Sequence, residues 1–127
     1  MSDDKIKRFV KKTLGCGCPE EVFQHIDCQY DLQVEDVPLK ARINVGNRLL
    51  IYVAEVSNTE IIAGLLAHII GAGKKERDQR GFNRFRLVLA AEKIDEIKPA
   101  AERLFNDIDN DDKVHLHVIP KADIPLD

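Results

Sequence analysis

The sequence contains no apolar run of about 18 residues, the length that a helix needs to cross a lipid bilayer. It also lacks the basic and then apolar start of a secretory signal, because residues 1–5 are Met-Ser-Asp-Asp-Lys. We therefore expect a soluble, cytoplasmic protein that does not associate with membranes. With 127 residues, 44% hydrophobic and 32% charged, the chain has the size and composition of one folded domain over residues 1–127.

Cysteine is scarce, and positive charge is not in excess. Three cysteines, an odd number, favour free thiols or metal ligands over a disulfide framework in a reducing compartment. A formal net charge of −3 argues against general affinity for nucleic acid, without excluding it. The sequence also lacks internal repeats and low-complexity tracts.

The N-terminal part has the pattern of two helices. Apolar residues at helical spacing predict an amphipathic helix over residues 3–14, which Gly15 ends. Pro19 suits the first position of a second, short helix that ends near Ile26.

Alternating or continuous apolar residues predict the strands that follow. Residues 28–34 alternate as a half-buried strand does. The turn signal Gly46-Asn47 predicts a hairpin within residues 40–56. The second arm, residues 49–54, is apolar throughout, so we expect it to be the centre of a sheet that is covered on both faces.

The remainder alternates helix and strand. Residues 57–60 form a capping box for a helix that Gly71 and Gly73 are expected to close. A strand follows, then a helix over residues 92–108 that Pro99 should kink or split, then a last strand. Right-handed crossovers make these three strands parallel. The predicted fold is α/β, with two N-terminal helices, an antiparallel hairpin edge and a three-stranded parallel β-α-β-α-β unit in one mixed sheet.

Two thiols flank one glycine in the segment Gly15-Cys16-Gly17-Cys18-Pro19. Cys18 falls at the predicted N-cap, where free N–H groups and the helix dipole stabilise a thiolate. Glu20 and Glu21 oppose that effect, so the sign of the net shift in thiol pKa is open. The alternative is structural, with Cys18 as a cap and Cys16 as a small buried residue.

His115 and His117 are two residues apart on a predicted strand, so their imidazoles leave the same face. A closed zinc site needs four ligands, and Cys16 and Cys18 supply two. The two histidines could complete the site within one chain. Alternatively, two copies of the cysteine loop could meet at a twofold axis and give four thiolates, the arrangement that we favour because it brings no distant elements together.

Six basic residues against two acidic ones give the segment from residue 74 to residue 86 a local charge of +4. Such a segment suits binding of phosphate, RNA or an acidic protein through charge, although a solvated surface has the same pattern. The residues are Lys74, Lys75, Arg77, Arg80, Arg84 and Arg86.

Three hypotheses follow from these residues. The first is a small accessory protein whose Cys16 and Cys18 bind a soft metal ion, zinc, or an iron-sulfur species. The second is a binding module without chemistry that uses the basic segment, and the third is a dithiol oxidoreductase. Enzymatic activity is the less favoured expectation, since the carboxyl ends of the predicted parallel strands carry no nucleophile with a base and no catalytic carboxylate pair. A protein partner or a homodimer is expected.

Overall fold

One mixed sheet organises the protein in a computed structural model that describes residues 3–15, 20–34, 37–108 and 113–124. The strands are Ile26–Val34 (β1), Val37–Val45 (β2), Leu49–Glu55 (β3), Arg84–Ala91 (β4) and Val114–Pro120 (β5), and they lie side by side in this order. The first three are antiparallel and the last three are parallel. This confirms the predicted α/β fold, with antiparallel strands at one edge and a parallel unit at the other.

The helices are Asp3–Arg8 (α1), Thr59–Arg80 (α2) and Ile94–Ile108 (α3). A π-helical turn over Phe9–Thr13 continues α1, and 3-10 helices cover Glu20–Gln24 and Lys121–Asp123. Within the described ranges, each helix is too short or too polar to span a lipid bilayer.

The predicted second, short helix is present in the described residues, but it ends earlier than expected. Glu20–Gln24 form a 3-10 helix, and β1 begins at Ile26. The sheet explains the difference: Ile26 lies opposite Val45 in the β1–β2 ladder, which requires extended backbone. Pro19, on which that prediction relied, lies outside the described residues.

Both faces of the sheet are covered, as the apolar β3 requires. We call one side the helix face, where α2 and α3 pack on β3, β4 and β5. The opposite side is the N-terminal face, where residues of α1, the π-helical turn and the first 3-10 helix pack on the same strands. β3 is the third of five strands, and Leu49 to Ala54 are all buried. The prediction that this segment is the sheet centre is confirmed.

α2 is longer than predicted. It continues through Gly71 and Gly73 and ends at Gly81, whose φ of 74° is the left-handed conformation that favours glycine. Gly73 is internal for a packing reason, because a Cβ at this position would overlap the Phe85 ring. The N-cap is Asn58, whose side chain accepts a hydrogen bond of 2.9 Å from the Ile61 N–H.

α3 is not split at Pro99. The helix runs unbroken from Ile94 to Ile108 with Pro99 inside it. The proline removes one backbone donor, while the buried residues Ile97 and Ala101 hold the helix on the sheet.

A buried ion pair joins α2 to the antiparallel strands. The Arg42 side chain, 7% exposed, donates to both carboxylate oxygens of Glu76, and the Tyr52 hydroxyl donates to the same carboxylate. Arg80, one turn further along α2, donates to Glu76 over 3.2 Å. Burial, followed by the charge of Arg80, lowers the pKa of Arg42. The network fixes the C-terminal half of α2 on β2 and β3.

We predict opposite effects for alanine at two glycines of α2. Gly73→Ala should lower the free energy of unfolding by about 1–3 kcal/mol, because the new methyl group overpacks against Phe85. Gly71→Ala, where a Cβ would meet nothing within 4 Å, should raise it by roughly 0.5–1 kcal/mol through helix propensity. Urea denaturation of both variants checks the pair. If Gly71→Ala were the more destabilising change, the continuous α2 would be contradicted.

Candidate functional site

Four basic side chains lie together on the N-terminal face, and we call Arg84, Arg86, His115 and His117 the basic patch. Arg84 and Arg86 are two residues apart on β4, and the two histidines are two apart on β5, so each pair leaves the same side of its strand. Arg86 lies directly opposite His115 in the parallel ladder. The next residues of the same parity, Val88 and Ile119, belong to the core under the N-terminal segment.

Arg86 is the buried centre of the basic patch, with 8% of its surface exposed. Its Nη1 donates to the Leu14 carbonyl oxygen and to Nε2 of His117, each over 2.8 Å. Its Nε is buried and has no hydrogen-bond partner among the described residues. The guanidinium therefore joins β4, β5 and the N-terminal segment through one nitrogen and leaves another unsatisfied.

The contact with Arg86 fixes the protonation of His117. A guanidinium has only donors, so Nε2 of His117 accepts and the ring proton lies on Nδ1. Burial of the imidazole, followed by the charges of Arg86 and His115, lowers the pKa of His117 to about 4. The ring is therefore neutral at pH 7.

The charge of Arg86 has no carboxylate partner in the described part of the chain. Burial, followed by the nearby charge of Arg84, lowers the pKa of Arg86, but an arginine keeps its proton in proteins. A buried charge is costly unless an opposite charge accompanies it. The site is thus electrostatically suited to an anionic group.

Cys16 and Cys18 lie outside the described residues, but both flanks of their segment are held. On one side, the Leu14 carbonyl is bound by Arg86. On the other, the Glu20 carboxylate accepts hydrogen bonds from Lys7 and Lys11. Among the described residues, no group of three or more histidine, cysteine or acidic side chains is arranged to hold a metal ion.

The two histidines do share a face, as expected, but their surroundings are unfavourable for a metal ion. Nε2 of His117 is occupied by Arg86, and Nε2 of His115 lies 3.4 Å from Nη1 of Arg84. A guanidinium beside the Nε2 atom of each histidine blocks that atom as a metal ligand, and its positive charge repels a metal cation. The geometry therefore gives no support to a zinc site completed by His115 and His117 within one chain.

The basic segment is not assembled into one surface. Arg77 is buried and pairs with Asp78, Arg80 pairs with Glu76, and Arg86 is buried on the other side of the sheet. On α2, Lys75 is exposed and Lys74 partly exposed, and Arg80 is exposed but pairs with Glu76. Polyanion binding by all six residues stays a prediction, without a continuous surface to support it.

The basic patch was missed because its two halves are far apart in sequence. The spacing Arg84-x-Arg86 on one strand and His115-x-His117 on the next was a usable signal, since residues two apart on parallel neighbours share a face. The burial of Arg86 depends on the N-terminal segment, and no local pattern around residue 86 indicates it.

A second polar group, also not predicted, lies at the carboxyl ends of the parallel strands. The Glu55 carboxylate accepts from Lys40 over 3.4 Å and from Lys121 over 3.2 Å. The Lys121 hydrogen bond is the main cause that lowers the pKa of Glu55. Lys121 also lies 3.8 Å from Glu92, so positive and negative charges are balanced there. This group has less need of an external ion than the basic patch.

Comparison with known proteins adds no identity: no family model matches the sequence, and no curated protein or solved structure matches it. The geometry of the site is therefore the basis for a functional proposal.

We predict that His117 makes the protein less stable in acid. Its pKa is about 4 in the folded protein and 6.5 in the unfolded chain, so the unfolded chain alone gains a proton as the pH falls from 6.5 to 4. Stability is lost over this window, by about 3 kcal/mol at pH 4. His117→Gln keeps a hydrogen-bond acceptor for Arg86 and should remove this loss, which urea denaturation at pH 7 and pH 4 will measure.

The control is His25→Gln, because His25 is exposed. This variant should retain the pH dependence of the unchanged protein. Equal pH dependence in the His117 variant and the unchanged protein would contradict the burial and charge environment described for His117.

Proposed function

We propose that the protein is a small accessory protein, not an enzyme, in which thiolates of Cys16 and Cys18 bind a soft metal ion such as zinc, or an iron-sulfur species. The observation that supports the proposal is the buried guanidinium of Arg86, which has no carboxylate partner in the described residues and holds the Leu14 carbonyl. Arg86 supplies the positive charge that a pair of thiolates needs.

Chain connectivity links Arg86 to the thiols. Only Gly15 separates Leu14 from Cys16 in the sequence, and two residues of extended chain span at most about 7 Å. A positive charge near a thiol favours the thiolate and lowers the thiol pKa. The proposal therefore takes the charge of Arg86, which binds the carbonyl of Leu14, to act on the thiols that follow in the chain.

The acidic residues after the segment oppose the thiolates less than the sequence alone suggests. Glu20 forms ion pairs with Lys7 and Lys11, so its negative charge is compensated locally. Both lysines also lie over the Phe23 ring: the Nζ atoms of Lys7 and Lys11 are 5.8 and 5.4 Å from the ring centroid. This leaves Glu21, an exposed residue, as the nearby carboxylate without a described partner charge.

The coordination shell requires more than one chain. Two thiolates fill half of a closed zinc site, and the histidines that could supply the rest face guanidinium groups. Two copies of the chain supply four thiolates, which suits the favoured arrangement. Two arginines then offset the charge of about −2 that a zinc ion with four thiolates carries.

We expect Arg86→Gln to raise the pKa of the Cys16 and Cys18 thiols by about 1 unit or more, since a nearby positive charge is lost. The measurement is the pH dependence of alkylation, in a Cys28→Ser background so that only these two thiols react. Zinc affinity, measured by competition with a chelating dye, should fall in the same variant.

Arg84→Gln is the matched control, because Arg84 belongs to the same patch but is exposed. It should change both quantities less than Arg86→Gln does. Equal effects, or anaerobically purified protein that binds neither zinc nor iron, would contradict the proposal. A reversible Cys16–Cys18 disulfide at a physiological potential, without metal, would instead support the dithiol oxidoreductase.

A second candidate function is binding of a small oxyanion, for which the basic patch itself is the observation. Phosphate would give Arg86 the counter-charge that no described carboxylate gives. Addition of phosphate to a Cys16→Ser/Cys18→Ser variant should shift the NMR signals of His117 and of the Arg86 Nε–H, and Arg86→Gln should abolish the shift. Added sodium chloride should weaken the effect through screening. Unshifted signals would exclude this candidate.

A further inference from the structure

The two edges of the sheet differ in how they are protected. β1 is irregular, since Asp31 has a φ of 49° and the strand reverses its alternation there. Cys28 packs toward the N-terminal face, whereas Leu32, of the same parity, packs toward the helix face. Kinks of this kind prevent an edge strand from pairing with another chain. β1 is therefore a protected edge.

β5 is an unprotected edge. From Val114 to Ile119 it contains no lysine, arginine, aspartate, glutamate, proline or glycine and no positive φ, and among the described residues it pairs only with β4. A regular edge strand without such residues is a ready template for another strand. Proteins retain such an edge where a partner covers it.

The hydrogen-bond pattern of β5 identifies which backbone groups are directed outward. The Phe85 N–H donates to the Lys113 carbonyl over 3.0 Å, so residue 113 and alternate residues after it are directed to β4. Val114, Leu116 and Val118 direct their N–H and C=O groups away from the sheet.

We infer that β5 is a homodimer interface, in which β5 of a second copy pairs with it antiparallel about Leu116. In this register Leu116 lies opposite itself, and Val114 lies opposite Val118 of the second copy. Each outward N–H then meets an outward C=O of the second copy, giving roughly six hydrogen bonds from three pairs of residues. A second copy pairs all three outward residues at once and, unlike an unrelated strand, also brings an identical groove between α3 and β5 to the junction.

The helix face beside the edge fits the same twofold axis. A groove between α3 and the β5 edge is lined by Glu102, Phe105 and Asn106 from the helix and by Val114, His115, Leu116 and His117 from the strand. Phe105 and Leu116 are both partly exposed. A twofold axis perpendicular to the sheet places the two α3 helices on the same side of the junction, where these apolar side chains cover each other.

The side chains on the N-terminal face of β5 are also compatible with this pairing. The same register places His115 opposite His117 of the second copy, twice, and His117 is neutral at pH 7, so the pairing does not bring four charged rings together. The Leu14 attachments of both copies lie on this side of the joined sheet. The interface involves described residues alone; only its use to bring four thiolates to one metal ion rests on the proposed function.

The experiment is the mass of the full chain in solution, by analytical ultracentrifugation with and without chelator. The unchanged protein should be a dimer in both. Leu116→Pro removes an outward N–H without removing a bond to β4, and it should weaken the dimer by roughly 100-fold or more, because one hydrogen bond is lost per copy and the ring obstructs pairing. Circular dichroism checks that the variant is folded.

A second variant tests the interface without changing β5. Phe105→Asp places two carboxylates beside Glu102 and its counterpart and should also give monomers. The matched control is Ile61→Asp, which changes an exposed apolar residue, 43% exposed, at the other helix and should leave the dimer intact.

The outcomes separate this inference from the proposed function. A dimer that persists in Cys16→Ser/Cys18→Ser protein but dissociates in Leu116→Pro supports the β5 interface even if no metal is bound. A monomer at protein concentrations up to about 1 mM, which excludes a Kd below that value, would overturn it. A dimer that chelator dissociates, or that both interface variants retain while folded, would also overturn it.

Discussion

The hydrogen bond from Arg86 to the Leu14 carbonyl attaches the N-terminal segment to the sheet. β3 is apolar on both faces and β4 is buried from Phe85 to Ala91, so each face of the sheet needs a cover. Two long helices cover one face. The other face is covered by a short N-terminal segment, whose core residues include Phe9 and Val10. Arg86 binds the carbonyl of Leu14, at the end of that segment. A buried guanidinium beside a carbonyl and a neutral imidazole supplies the polar fixing point in an otherwise apolar contact.

The same interaction places a positive charge in the protein interior, although attachment of the N-terminal segment does not require a charge. A purely structural link between β4 and the N-terminal segment could be made by a neutral donor at lower desolvation cost, because a buried charge without a counter-charge is unfavourable. Arg86 is buried, has an unsatisfied Nε and lies next to a second arginine. By contrast, the buried Arg42 on the other face has Glu76 as its partner. The difference between these two arginines is the physical basis for placing function at the basic patch.

Local patterns were sufficient for much of the fold and insufficient where packing overrides them. The strand Leu49–Glu55 was identifiable as the centre because its apolar residues do not alternate, and the turn at Gly46-Asn47 was identifiable from residue type. Gly73 was misinterpreted as a helix end, because the Phe85 ring that requires a glycine there is twelve residues away. The short helix after Pro19 was expected to continue to about Ile26 but ends at Gln24, because pairing of Ile26 with Val45 is a property of the assembled sheet.

The sequence by itself determined the α/β class, the parallel direction of the last three strands and the presence of two thiols beside glycine, since these follow from periodicity, the helical crossovers and residue identity. It also determined that Arg84 with Arg86, and His115 with His117, each share a face. Only the tertiary structure decided that the two pairs adjoin, that Arg86 is buried without a described carboxylate, and that its guanidinium occupies Nε2 of His117. These properties depend on burial and on contacts between residues up to 72 positions apart, which no local pattern specifies.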